Sequence, residues 1–363
     1  MKKILFYIDS LYRGGAQRVM SNLVAYFSNN YDVVLVNDFV PDNQKVDYDL
    51  PVNIKKIYLR KSPDGNPVTK NISRIITLRK TIIKENPDTV LSFLGNPNKR
   101  MLIATIGLKC RKVVSVRNDP SHEYGGGNLS RWFARRLFSR ADGVVFQTQD
   151  ASKYFQKSVQ NKSTIIMNPV SKQFYQVNRC TPEKDVVTVG RFEEQKNHLL
   201  LLQAWKEIEQ SFPDDHLIIY GDGSLRKEYE EYIQEQGLGD RVLLPGIVKD
   251  IPQKLASAKL FVLSSDFEGM PNALMEAMAV GVPVISTDCP CGGPKILIQE
   301  PSQGCLVPCR DLNSLKDAMK EFLESKEMRE NKGGCAKKRA EAFAEDFIYK
   351  QWEEYLMKNM DLN

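Results

Sequence analysis

Apolar residues in this chain cluster in short unbroken runs, and each run gives way to a loop and then to a stretch with helical spacing. Unbroken runs, unlike alternating ones, predict parallel strands covered on both faces. In the first half they predict strands at Lys3 to Ile8, Tyr31 to Asn37, Val52 to Leu59, Thr89 to Phe93, Arg111 to Arg117 and Val144 to Gln147. In the second half they predict strands at Asp185 to Val189, Leu217 to Tyr220, Arg241 to Leu244, Phe261 to Ser264, Val282 to Ser286 and Gly304 to Pro308. Helical spacing covers Val19 to Phe27, Asn71 to Lys84, Arg131 to Arg140, His198 to Gln210 and Asn272 to Val280, and charged helices follow Leu312. This alternation predicts an α/β protein with two doubly wound domains, 1–170 and 171–343, binding ligands in a cleft at the carboxyl ends of the strands. The polar segment from Asn168 through Pro182 reads as the linker.

The stretch Phe261 to Thr287 carries the most chemistry. After its first strand, Asp266-Phe267-Glu268-Gly269 has no periodicity, Pro271 suits the first turn of a helix, and Gly281 is placed to stop that helix. Free N–H groups from Gly269, Met270, Asn272, Ala273 and Leu274, at the positive end of the helix, suit a phosphate. Glu268 and Glu276 bracket this site. Carboxylates repel phosphate, so their targets are neutral hydroxyls on either side of it, as in a nucleotide-sugar. The plainer alternative is a surface helix whose glutamates face solvent.

Other loops add less on their own. Gly14-Gly15, between the first strand and helix, permits close backbone approach to a ligand, and a tight turn explains it equally well. Arg191 and Lys196 follow Gly190, which permits a sharp turn, and place two cations by the cleft; His198 reads as structural. Asp47-Tyr48-Asp49 matches the carboxylate pair of metal-dependent transferases but reads as a solvated loop. Cys289, Cys291, Cys305 and Cys309 miss the usual zinc spacings. Arg131 to Arg140 reads in two ways: Trp132, Phe133 and Leu137 face a core, or the helix lies on anionic lipid headgroups.

Charge divides the 363 residues unevenly. Residues 1–170 carry 27 Lys and Arg against 13 Asp and Glu, net +14, and residues 171–363 carry 24 against 32, net −8. One half is therefore suited to an anionic partner. The odd count of 7 cysteines gives no disulfide framework, Asp9 interrupts the first apolar run, and no run approaches a membrane span. These features predict a cytoplasmic protein.

The block from Phe267-Glu268-Gly269 through Pro271, Glu276 and Gly281 to Pro283-Val284-Ile285-Ser286-Thr287 resembles the Glu-x7-Glu signature of glycosyltransferase family 4, retaining enzymes of the GT-B fold. Gly190-Arg191…Lys196-Asn197 resembles that family's diphosphate-holding loop, and Gly221-Asp222-Gly223 its Gly-x-Gly. Pro245-Gly246-Ile247-Val248 resembles its base-contacting loop, and Gly14-Gly15 its N-terminal glycine pair. The resemblance implies a donor-binding second domain and an acceptor-binding first domain, to which the final helix, 344–363, returns. Arg191, Lys196 and Glu268 would then be catalytic, and Gly14, Gly15, Gly190, Arg191, Lys196, Gly221, Gly223, Ile247, Glu268 to Leu274 and Glu276 would bind the donor. Family members often carry a functional histidine after the strand that ends here at Arg117; Arg117-Asn118-Asp119 replaces it, and Arg117, Asn118 and His122 become the acceptor-side candidates. Ile296 stands where relatives usually have Glu.

The flavour of Val90 to Leu94 and Val116 to Pro120 is similar to bacterial capsule, exopolysaccharide and glycan-assembly transferases. That implies a UDP-sugar donor, hexose or N-acetylhexosamine, and a polyprenyl-diphosphate-linked acceptor. It also implies no metal cofactor, no nucleic acid, and peripheral contact with the anionic inner face of the plasma membrane. A UDP-sugar epimerase of the same fold, or a basic protein that only binds membrane or nucleic acid, is the alternative.

Overall fold

The computed structural model describes residues 1–12, 14–40, 48, 50–60, 66–125, 127–180 and 183–358. The chain divides into two compact units, Met1–Asn168 with Asp346–Asn363, and Pro169–Glu345.

The first unit is built on seven parallel strands: β1 (Lys3–Ile8), β2 (Asp32–Phe39), β3 (Lys55–Arg60), β4 (Thr89–Phe93), β5 (Arg111–Ser115), β6 (Gly143–Phe146) and β7 (Ser163–Ile165). Their order is β3-β2-β1-β4-β5-β6-β7. The second unit has β8 (Lys184–Val189), β9 (Leu217–Tyr220), β10 (Val242–Gly246), β11 (Ala258–Leu263), β12 (Val284–Thr287) and β13 (Cys305–Val307), parallel, in the order β10-β9-β8-β11-β12-β13. Each chain of strands leaves the middle of its sheet, runs to one edge, and returns to the other side of its first strand. The order therefore reverses between β1 and β4 and again between β8 and β11, where doubly wound sheets bind their ligands.

Full burial on both faces explains the unbroken apolar runs. Every residue of β4 is buried, and β1 is buried from Ile4 to Ile8. Ile4, Phe6, Leu35, Leu91, Val113 and Val145 form one core with Ile348, Trp352 and Leu356 of the final helix Glu345–Met357, which thus belongs to the first unit. Val186, Trp205, Ile219, Leu260, Ile285 and Phe322 form the core of the second. Each such side chain contributes roughly 1.5–3 kcal/mol on burial.

The first unit departs from the sequence reading in several places. Ser163–Ile165 is a seventh strand where that reading had none. The second helix begins earlier than its apolar spacing suggested, at Pro67, because the Asn66 side chain caps it by accepting from Val68 N–H. It runs to Glu85 and buries Leu78 and Ile82 while Val68, Ile72, Ile76 and Ile83 stay exposed. The basic helix spans Asn128–Phe138; Leu137 enters the core, but Trp132 and Phe133 are exposed, so the reading that buried all three is corrected. Among the described residues no helix is long and apolar enough to cross a membrane.

Candidate active site

The loops leaving β8 and β11 meet where the second sheet reverses. Asp266 N–H donates to Gln195 O at 2.9 Å, Gln195 Nε2 returns a bond to Phe267 O at 2.8 Å, and Ser264 Oγ donates to Lys196 O at 3.0 Å. Asn197 Nδ2 adds a bond to Asp266 Oδ1 at 2.9 Å. This lacing brings Lys196 Nζ to 2.5 Å from Glu268 Oε1, which also accepts from Ser265 Oγ at 2.8 Å. Glu268 is only 6% exposed. A buried carboxylate of this kind needs the cation beside it. Lys196 and Glu268, 72 residues apart, therefore form one unit.

The backbone of Glu268 is fixed as well. Its N–H donates to Pro290 O at 2.7 Å, and its carbonyl accepts from Cys291 N–H at 3.0 Å. Gly293 approaches so closely that a Cβ there would lie 1.9 Å from Gly269 O. Helix Asn272–Val280 then starts with Pro271 before it and ends at Gly281, whose φ of 90° suits glycine. Gly269, Met270, Pro271 and Leu274 are buried, while Asn272 and Ala273 at the helix start are partly exposed. Glu276 is 5% exposed within the same helix.

Gly190, Gly221 and Gly223 have packing roles that the motif did not reveal. A Cβ at Gly221 would meet Gly190 O at 1.8 Å, and one at Gly223 would meet the Phe192 backbone at 2.5 Å. Gly190 itself makes room for the ring of His198, which is 1% exposed and stacks edge-on with Phe192 and Tyr229. Burial, assisted by the Lys196 charge, pushes His198 down to about 3, so it is neutral. Arg191 is exposed and makes no ion pair among the described residues. Ile247, after the left-handed Gly246, is half-exposed.

In the first unit, Gly14 and Gly15 open helix Gly15–Phe27, with Gly14 extended as its N-cap. Neighbouring Arg13 lies outside the described residues, as do Asp47 and Asp49. At the β1/β4 reversal Tyr7 Oη donates to Asp38 Oδ1 at 2.7 Å, and Arg100 bonds both Tyr7 and Asp38. Leu94, leaving β4, holds φ 74°, a costly conformation for a side chain with a Cβ. β5 ends at Ser115, so Arg117 sits beyond it in the loop. Its guanidinium is buried, bonded to Asn168 Oδ1 and stacked on Phe93 and Trp352, with Nε unpartnered among the described residues. Burial pushes it down to about 9. Asn118 is partly exposed and His122 exposed.

The side chain turned inward is Glu123, which sequence reasoning passed over. Its Oε1 accepts from Gly95 N–H at 3.2 Å, at the start of helix Gly95–Ala104, and its Oε2 is buried with no partner among the described residues. Burial pushes Glu123 up to about 7. Among the described residues no three His, Cys, Asp or Glu side chains form a metal cluster.

Two family models match consecutive stretches: "Glycosyltransferase Family 4" over residues 13–174 and "Glycosyl transferases group 1" over residues 171–339. The chain belongs to glycosyltransferase family 4. It is an α/β enzyme of the GT-B fold, and its activity is glycosyl transfer. The transferase is 28% identical over 375 residues, 98% of this chain and 100% of the relative, to the N-acetylgalactosamine-N,N'-diacetylbacillosaminyl-diphospho-undecaprenol 4-alpha-N-acetylgalactosaminyltransferase of Campylobacter jejuni. A second Campylobacter jejuni enzyme, an alpha-1,4-N-acetyl-D-galactosaminyltransferase of GalNAc-alpha-(1->4)-GalNAc-alpha-(1->3)-diNAcBac-PP-undecaprenol, is 25% identical and covers 97% of both chains. Among solved structures, HepE of Anabaena in complex with UDP and glucose superposes with a TM-score of 0.81 at 20% identity, covering 99% of this chain and 100% of HepE.

Proposed function

We propose that the transferase moves a hexose or N-acetylhexosamine from a UDP-sugar to a hydroxyl of a polyprenyl-diphosphate-linked, or other cell-surface, glycan, with retention of the anomeric configuration. The observation that carries this reading is the Lys196–Glu268 contact, laced between the β8 and β11 loops ahead of the helix that begins at Asn272. Lys196, Arg191 and the N–H groups at that helix start supply positive charge as the diphosphate departs. Both bonds to Glu268 fall on Oε1; Oε2 is the atom assigned to a hydroxyl of the transferred sugar. Glu276 takes the ribose diol, and Ile247 packs on the base. A divalent metal is not required in this scheme, because the cations and amides would supply the positive charge that it brings.

The first unit takes the acceptor. Both Campylobacter relatives are named for diphospho-undecaprenol-linked substrates, and HepE binds UDP and glucose, which support the acceptor and donor classes. Arg117 and Asn118 are the acceptor-side contacts; the exposed position of His122 gives it less to do. The net +14 of residues 1–170 suits an anionic inner membrane face, with Arg131, Arg136, Arg140 and exposed Trp132 against it.

The test is UDP release from a panel of UDP-sugars with a polyprenyl-diphosphate glycan, with and without EDTA. Acceptor-dependent release that survives EDTA is expected. Sugar interconversion without acceptor would show an epimerase, binding without turnover a binding protein, and activity lost to EDTA and restored by manganese a metal enzyme.

A further inference from the structure

Helix Pro67–Glu85 presents apolar side chains on two faces, and only one is buried among the described residues. Leu78 and Ile82 are buried, whereas Val68 is 66% exposed, Ile72 53%, Ile76 50% and Ile83 56%. At about 100° per residue these four fall within roughly 80° of one another, so they make a single stripe along the outside of the helix. Arg79, on the same side, donates through Nη1 to Ala104 O and Ile106 O, and places the 46%-exposed Ile106 beside the stripe. Scattered exposed apolar residues are normal in a soluble surface, but an aligned, β-branched stripe marks a contact.

The position of the helix tells which contact. The connections from β3 to β4, β4 to β5 and β5 to β6 all step the same way across the sheet, so right-handed crossovers put their helices on one face. Helices Pro67–Glu85, Gly95–Ala104 and Asn128–Phe138 pack side by side there. Their exposed charged side chains are the cations Lys80, Lys84, Arg131 and Arg136, while Arg100 is turned inward to Asp38 and the single carboxylate within the three helices, Glu85, is buried against Lys55. Lys80 and Lys84 are exposed on the flank of the stripe, and Trp132 and Phe133 are exposed on the last of the three helices.

We propose that the Val68–Ile72–Ile76–Ile83 stripe inserts into the headgroup boundary of an anionic bilayer, with the surrounding lysines and arginines on the phosphates. An apolar stripe flanked by cations is the pattern of an interfacial helix. A second copy of the chain is a poor occupant, because it would set two cationic faces against each other. The proposal rests on the lipid-linked acceptor of the preceding section and adds an apolar grip to a contact described there as electrostatic. It makes attachment partly independent of salt, since ions screen charge and leave apolar burial intact.

Vesicles of phosphatidylcholine with phosphatidylglycerol test it. The Ile72→Asp/Ile76→Asp protein should bind them at least about tenfold more weakly than the wild type, with an unchanged melting temperature and unchanged UDP release on a detergent-solubilised acceptor. Equal vesicle affinity would overturn the proposal, as would a wild-type dimer that the two substitutions dissolve. If the double variant does not fold, Ile72→Trp in a Trp132→Phe background decides: quenching by brominated anionic lipid supports insertion, and its absence refutes it. Loss of UDP release in the wild type would sink the transferase reading while leaving vesicle binding to stand or fall separately.

Discussion

The two places where strand order reverses are built differently. At β8/β11 the charged groups are paired across neighbouring loops, and the loops are bonded to each other through their backbones. At β1/β4 the pairing lies in the interior: Tyr7 and Asp38 on neighbouring strands lock with Arg100, while Arg117 Nε and Glu123 Oε2 nearby are buried atoms unpartnered among the described residues. The first arrangement pairs Lys196 with Glu268 without a ligand and suits a fixed donor diphosphate. Its buried atoms without partners among the described residues, Thr188 Oγ1 and the ring nitrogens of His198, are on neutral side chains. The second leaves such atoms on ionisable side chains, Arg117 and Glu123, and buried polar groups without partners are costly. Such a region has more to gain from a bound substrate, or from a local shift when one arrives.

The largest effect should come from breaking the interior lock. Arg100→Ala takes the nearer guanidinium from buried Asp38 and leaves the more distant Arg74, at 3.6 Å, so the loss should approach that of a broken buried pair, about 3–5 kcal/mol. Denaturant unfolding should show that loss in the first unit, and calorimetric UDP affinity should barely change. A fall in UDP affinity as large as the fall in stability would erase the contrast between the two reversals.

Glu276→Gln tests the other side. It keeps the shape of a buried side chain but replaces half its acceptor capacity with donors, so UDP binding should weaken by about 1–3 kcal/mol. Titration calorimetry with UDP reads this directly; unchanged affinity would remove Glu276 from the donor site.

A smaller, pH-dependent effect should appear at Glu123. Its folded pKa, raised to about 7 by burial, lies above that of an unfolded glutamate. The folded state thus binds the extra proton, and the wild type loses stability as pH rises from about 4.5 to 7. Glu123→Gln stays neutral throughout, so it should melt a few degrees above the wild type at pH 8 and lose that advantage by about pH 5. A melting difference that does not vary with pH would show that Glu123 is not held in an uncharged form.

Sequence legibility follows the same divide. β4 at Thr89–Phe93, β9 at Leu217–Tyr220 and helix Asn272–Val280 lie where the apolar runs put them, because Gly and Pro punctuate their ends. Glu268 and Glu276 stood out because their loop and helix are contiguous. Nothing local announces that Asp38 meets Arg100, 62 residues on, or that Glu123 rather than His122 turns inward. Apolar spacing alone did not tell which face of Pro67–Glu85 is buried, since both faces are apolar. Gly221 and Gly223 carried a true signal, but the structure shows it to be close packing against Gly190 and Phe192.

Lys196, fixed to Glu268, is the group proposed to stabilise the departing diphosphate. Steady-state kinetics of Lys196→Ala with a UDP-sugar and a lipid-linked acceptor test it most directly. In this variant kcat should fall about a hundredfold or more while the donor KM changes less. A kcat that survives while only KM rises would contradict it and reduce Lys196 to a binding group.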